Sequence, residues 1–172
     1  MLVTPHTQKE TELKIVKVVP LLIVICLAGA VSGQTKSSQK AGSAKGTRQY
    51  VNLQRPANAP RGPFSDAVLI GDTLYVAGHI GLDSQTGNAP ANVEDEIRIL
   101  LDGIQDVLRS GDMTMDDLAY VQVFCTDLNL YGKFNDAYKA RFTKEFPARA
   151  FIGVSSLLRG GHFEMMGIAL KR

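Results

Sequence analysis

The chain of 172 residues reads as an α+β domain, a sheet carrying two helices on one face in the order β-β-α-β-α-β-β. Three observations predict it. Two apolar runs, 67–70 and 73–77, flank the dipeptide Gly71-Asp72. Val93, Ile97, Leu100, Leu101, Ile104, Val107 and Leu108 recur at helical spacing. Val121, Val123 and Cys125 alternate with Tyr120, Gln122 and Phe124.

The flanked dipeptide predicts a hairpin with a two-residue turn, since glycine at the first central position suits a type II′ turn. Gly87, in Gln85-Thr86-Gly87, marks a further turn. The first helix starts at Asn92, a side chain that can accept from the free N–H groups of the first turn. Glu94, Asp95 and Glu96 then suit the positive end of its dipole, and Gly111 stops it. A strand follows over 120–126. The second helix is expected over 133–146, with Phe134, Tyr138 and Phe142 on one face, ended by Pro147 because the residue before a proline disfavours helix. The last two strands are expected over 149–155 and 163–170. Two helices cover one face of such a sheet. The other, expected to include some of Val76, Val123, Ile152, Met165 and Ile168, needs burial elsewhere, so the domain should oligomerise.

The N-terminal part has a different character. Lys14 and Lys17 precede an apolar run over 18–31, and small residues follow up to Gly33. That is the layout of a secretory signal peptide over 1–33, with cleavage before Gln34 or before Gly33. The run is short of the roughly 18 residues a spanning helix wants, although an uncleaved anchor is the alternative. Cys26 lies inside the apolar run, badly placed for lipid attachment. Residues 34–50 carry Lys36, Lys40, Lys45 and Arg48, many Ser and Gly, and no acid, so they read as a flexible tether before a domain over 51–172. The expected location is periplasmic or secreted, with no stable membrane insertion after cleavage. The single cysteine after residue 33, Cys125, forms no disulfide framework and sits in a strand pattern as a buried thiol.

A net charge of +2 and the absence of tryptophan give no electrostatic case for nucleic acid. The scattered His79, His162 and Cys125 lack the spacing of a metal site. Ser155 and Ser156 have no base nearby in sequence, and no glycine-rich phosphate loop occurs. The chemistry concentrates on Arg149, just after the Phe146-Pro147-Ala148 break, and on Glu164 of the last strand. An arginine fork binds a carboxylate by two parallel hydrogen bonds, and a carboxylate can hold a water. The pair points to a small carboxylate-bearing ligand, while an interface salt bridge, even between these two, is the plain structural alternative.

Several separated motifs in order are similar to the RidA/YjgF family. They are Gly62-Pro63-Phe64-Ser65-Asp66-Ala67-Val68, Leu74-Tyr75-Val76-Ala77-Gly78-His79-Ile80, Val123-Phe124-Cys125-Thr126-Asp127-Leu128, Phe134-Asn135-Asp136-Ala137-Tyr138, Phe146-Pro147-Ala148-Arg149, and Phe163 through Arg172. The resemblance covers about residues 50–172. It implies a chorismate-mutase-like α+β fold and a homotrimer with clefts between subunits. It also implies hydrolytic deamination of reactive enamines or imines, of the 2-aminoacrylate or 2-iminobutanoate type, to 2-keto acids and ammonia without any cofactor or metal. Carried over by position, Arg149 would bind the substrate carboxylate and Glu164 would help hold the attacking water. Phe64, Ala77, Gly78, His79, Asn135 and Phe151 would line the cleft, Phe151 largely through its backbone carbonyl. Phe64 stands where tyrosine is common and Ala77 where serine is common, so two hydroxyls are lost. His79 replaces a usual glutamine, Ala150 a usual serine, and Met166 a frequent acid. Two other readings stay open: a non-catalytic module binding a small carboxylate in the same cleft, and a chaperone-like trimer.

Overall fold

The computed structural model describes residues 46–54 and 62–172. The chain divides into two units, 1–41 and 42–172, and all described residues belong to the second. The expected signal segment 1–33 and the tether up to residue 45 lie outside the described residues.

In chain order the elements are β1 (Arg48–Val51), β2 (Ala67–Ile70), β3 (Thr73–Ile80), α1 (Val93–Ser110), β4 (Leu118–Cys125), α2 (Tyr131–Lys139), β5 (Ala148–Gly153) and β6 (Phe163–Leu170). Among the described residues six strands form one sheet in the order β1-β2-β3-β6-β4-β5. Only the β4–β5 pair is parallel, and α2 provides its crossover. β1 is a strand that the sequence reading assigned mostly to the tether. Arg48, Gln49, Tyr50 and Val51 pair with Ile70, Leu69, Val68 and Ala67. The edge of β2 offers backbone donors and acceptors that any extended segment can satisfy, whatever its composition.

The hairpin has its expected two-residue turn: Ile70 pairs with Thr73, and Gly71 has φ +59°. In α1 the Asn92 side chain accepts from the Asp95 N–H at 3.0 Å, and Gly111 caps the other end. Ile97, Leu100, Leu101, Ile104, Val107 and Leu108 are buried against the sheet. α2 is shorter than expected and ends at Lys139, so Phe142 and Phe146 lie beyond it. Asp116 explains the early stop. Its carboxylate accepts from the N–H and hydroxyl of Thr143 and from the N–H of Lys144, drawing these donors away from the helical ladder.

One sheet face packs under the helices. Leu74, Val76, Val121, Val123, Phe163, Met165 and Ala169 lie there, all buried. Val76, Val123 and Met165 therefore do not belong to the open face, where the sequence reading had allowed them. Ile152 and Ile168 do, as partners in register of Phe124 and Tyr120. Along the open face one aligned row, Tyr50–Val68–Tyr75–Ile168–Tyr120, crosses five strands. Tyr75 is 47% exposed, and Met166 and Leu170 are also exposed.

The junction of α1 with β6 is fixed by a buried carboxylate. Glu96 accepts from the N–H groups of His162 and Phe163, at 2.6 and 3.0 Å, and lies 2.7 Å from His162 Nδ1. Gly81 backs onto the carbonyl of Glu96, where a Cβ would come within 2.0 Å of the oxygen. His162 is thus a partner of this carboxylate.

Candidate functional site

Arg149 on β5 pairs in register with Val121, so its side chain lies on the helix side of the sheet. There α2 presents Tyr131, Asn135 and Tyr138, residues spaced i, i+4, i+7 along one helical stripe. Nη2 of Arg149 donates to Asn135 Oδ1 at 2.7 Å. Cζ lies 4.7 Å from the Tyr138 ring centroid, 5.6 Å from Phe151 and 5.9 Å from Tyr131. Ring faces attract a guanidinium, which offsets part of its desolvation. Nη1 is buried without a hydrogen-bond partner, and no carboxylate pairs with Arg149 among the described residues. A guanidinium without a carboxylate partner offers its free donor to an anion.

The two tyrosines differ. Tyr138 is buried, its hydroxyl has no partner, and burial pushes its phenol up to about 12. Tyr131 is 46% exposed, and its ring stands edge-on to Phe151 at 4.9 Å. A hydrogen bond with Asn135 and then the Arg149 charge hold its phenol below the ordinary value. Sequence reasoning named Asn135, Arg149 and Phe151 for this site but took Tyr138 as a core residue and passed over Tyr131. The i, i+4, i+7 spacing from Tyr131 through Asn135 to Tyr138 is the signal that marks both.

Glu164 lies on the opposite side of the sheet. It pairs with Ile80 on β3 and with Phe124 on β4, whose side chains alternate away from the helix-facing Val123 and Cys125. Its carboxylate rests on Gly78, where a Cβ would come 2.0 Å from Oε1. A bulge between Val76 and His79 makes this possible. The extra residue leaves Gly78 on the side of Glu164 and turns His79 to the helix side, opposite Met165. His79 is thus separated by the sheet from Glu164. Its Nδ1 donates to the Ala77 carbonyl at 2.8 Å, and its ring lies beside Gly103 of α1.

Ala77 donates its N–H to the Asp66 carbonyl at 3.0 Å and, as expected, brings no hydroxyl. Phe64 is exposed on the segment before β2 and lines a groove of about 510 Å³ with Tyr50, Asn52, Ser65 and Val68. The expected site residues thus fall into separate groups within one chain. Arg149, Asn135 and Phe151 come together, as do Gly78 and Glu164, while Phe64 lies on the segment entering β2. β4 and the thickness of the sheet stand between Arg149 and Glu164, so these two do not pair.

Comparison with known proteins bears on this arrangement. The family model described as endoribonuclease L-PSP matches residues 54–171. A 2-iminobutanoate/2-iminopropanoate deaminase from Bos taurus is 34% identical over 116 residues, covering 67% of this chain and 85% of the relative. A RutC family protein from Sulfurisphaera tokodaii is 33% identical, covering 67% of this chain and 93% of the relative. Among solved structures, E. coli TdcF with bound serine superposes with a TM-score of 0.65 at 27% identity, over 72% of this chain and all of TdcF. The YjgF gene product from E. coli gives 0.65 at 29% identity, over 72% of this chain and 99% of that one.

Proposed function

The chain belongs to the RidA/YjgF family, whose model is described as endoribonuclease L-PSP, and from that premise we propose that it hydrolyses small reactive 2-imino acids and their enamine tautomers to 2-keto acids and ammonia. Imine deaminase activity is the family-level reading of relatives so named. The observation that carries it to this chain is Arg149, a ring-enclosed guanidinium with one nitrogen lacking a hydrogen-bond partner. Binding there fixes the imine carbon in place. A water held by Glu164 and the Phe151 carbonyl adds its oxygen to that carbon, and one water proton passes to nitrogen. The resulting carbinolamine loses ammonia as its hydroxyl proton follows, leaving the C=O of the keto acid. Imines hydrolyse readily in water, so positioning supplies most of the gain.

The site is completed between subunits in this reading. One copy contributes Arg149 and Asn135, and its neighbour contributes Glu164 and Gly78. Support comes from the opposed orientations of Arg149 and Glu164 and from the apolar open face that a second copy would cover. We infer a homotrimer on that ground and on the family resemblance. The leader pattern in residues 1–33 supports export of the protein, testable by N-terminal sequencing of the protein recovered outside the cytoplasm.

The test is keto-acid release from freshly generated 2-iminobutanoate. The parent should accelerate it, and Arg149→Ala should lose about 100-fold in kcat/KM, the worth of a charge-assisted pair of hydrogen bonds. A folded parent with no acceleration would reject hydrolysis of this substrate. The alternative is then a module that captures a small carboxylate without turnover, a reading favoured by the missing hydroxyls at Phe64 and Ala77.

A further inference from the structure

We propose that the hydroxyl of Tyr131 is a second anchor for the substrate carboxylate, acting beside Arg149; this rests on the proposed site and extends it. One N–H of Arg149 Nη2 is engaged by Asn135 at 2.7 Å, and Nη1 has no hydrogen-bond partner. A carboxylate offers about four acceptor positions on its two oxygens, so one held by the Arg149 fork still has room for a further donor. Three rings surround the guanidinium, and two of them carry hydroxyls. Tyr138 is buried, with 3% of its surface exposed. Tyr131 is 46% exposed at the start of α2, with its ring centroid 5.9 Å from Arg149 Cζ. Its ring stands edge-on to Phe151, the residue whose carbonyl holds the water in the proposed reaction.

Phe64 and Ala77 bring no hydroxyl to the site. Tyr131 supplies one on the Arg149 side. The hydrogen bond with Asn135 and the Arg149 charge, which lower its phenol, also sharpen its O–H as a donor. Ionisation of the same phenol would set a negative oxygen against the carboxylate. Binding should therefore weaken as pH rises through a value below the ordinary phenol value of 10.0.

The probe is 2-oxobutanoate, titrated calorimetrically into the full chain, alongside imine turnover. Tyr131→Phe keeps the ring and removes the hydroxyl. Its Kd for the keto acid and its KM for the imine should rise about five- to tenfold, the usual worth of a lost hydrogen bond, while kcat stays within about twofold. The alkaline loss of binding should vanish in the variant. Unchanged Kd and KM would overturn the proposal. So would a fall in kcat at constant KM, which would make Tyr131 a proton-transfer group instead. A parent that binds the keto acid through Tyr131 but does not hydrolyse imines would reject the hydrolytic reading and keep the anchor. A parent that does neither would reject both.

Discussion

A Cβ on Gly78 would meet Glu164 Oε1 at 2.0 Å and the carboxyl carbon at 3.0 Å. The obstructing atoms end a flexible side chain, so Gly78→Ala displaces the carboxylate and spares the sheet. Turnover should fall at least about tenfold, since a shift near 1 Å in a positioning group is enough, while thermal melting moves little. Loss of fold in that variant would show Gly78 to be a structural residue only. Glu96 is the opposite case. Its buried carboxylate supports two N–H groups and a ring nitrogen at the start of β6, and Glu96→Ala strands all three. The expected cost is about 1–3 kcal/mol in urea denaturation, the worth of one stranded buried donor, since the Phe163 N–H is fully buried and the groups of His162 are part-buried. Glu96→Gln, which keeps an acceptor oxygen, should recover part of it.

At the scale of elements, the segment after α2 depends on Asp116. Hydrogen bonds from the Thr143 hydroxyl and then its N–H hold this carboxyl below the ordinary value of 3.8. A depressed carboxyl stabilises the fold fully above its unfolded value and loses that contribution as pH falls through the lower folded value. The amide proton shift of Thr143 should therefore titrate with a midpoint below 3.8. A midpoint at or above that value would contradict the bonds seen here. This segment also shows what the sequence could and could not reveal. The hairpin at Gly71, the cap at Asn92 and the alternation of β4 are local signals, and they were legible. The end of α2 was not, because it is set by a carboxylate 27 residues away from Thr143 in the chain. β1 was hidden because its pairing partner, not its composition, makes it a strand. The side of the sheet on which His79 lies was not legible, because simple alternation has no means of registering a one-residue bulge. Arg149 and Asn135 were legible as parts of motifs, whereas Tyr131 gains its meaning only once α2 lies over β5.

For the whole molecule, the open sheet face is the feature that a single copy cannot account for. The row through Tyr75, Ile168 and Tyr120 is apolar at its centre and flanked by Met166 and Leu170. Exposed patches of this kind mark interfaces. Ile168→Glu places a charge in the middle of the row. Light scattering should then report monomers, with Arg149 intact and activity lost. Subunit mixing tests the composite site directly. Arg149→Ala and Glu164→Gln should each be nearly inactive alone. If one cleft takes Arg149 from one copy and Glu164 from the next, mixed assemblies contain clefts in which both parent residues meet. Equal mixing, with free exchange in a closed ring, restores roughly a quarter of parent activity by this counting. If both residues served one cleft from the same subunit, every cleft would keep one defect and mixing would restore nothing. Activity regained on mixing would therefore establish that catalysis requires two copies, and the sheet that separates the two side chains within a subunit gives the physical reason.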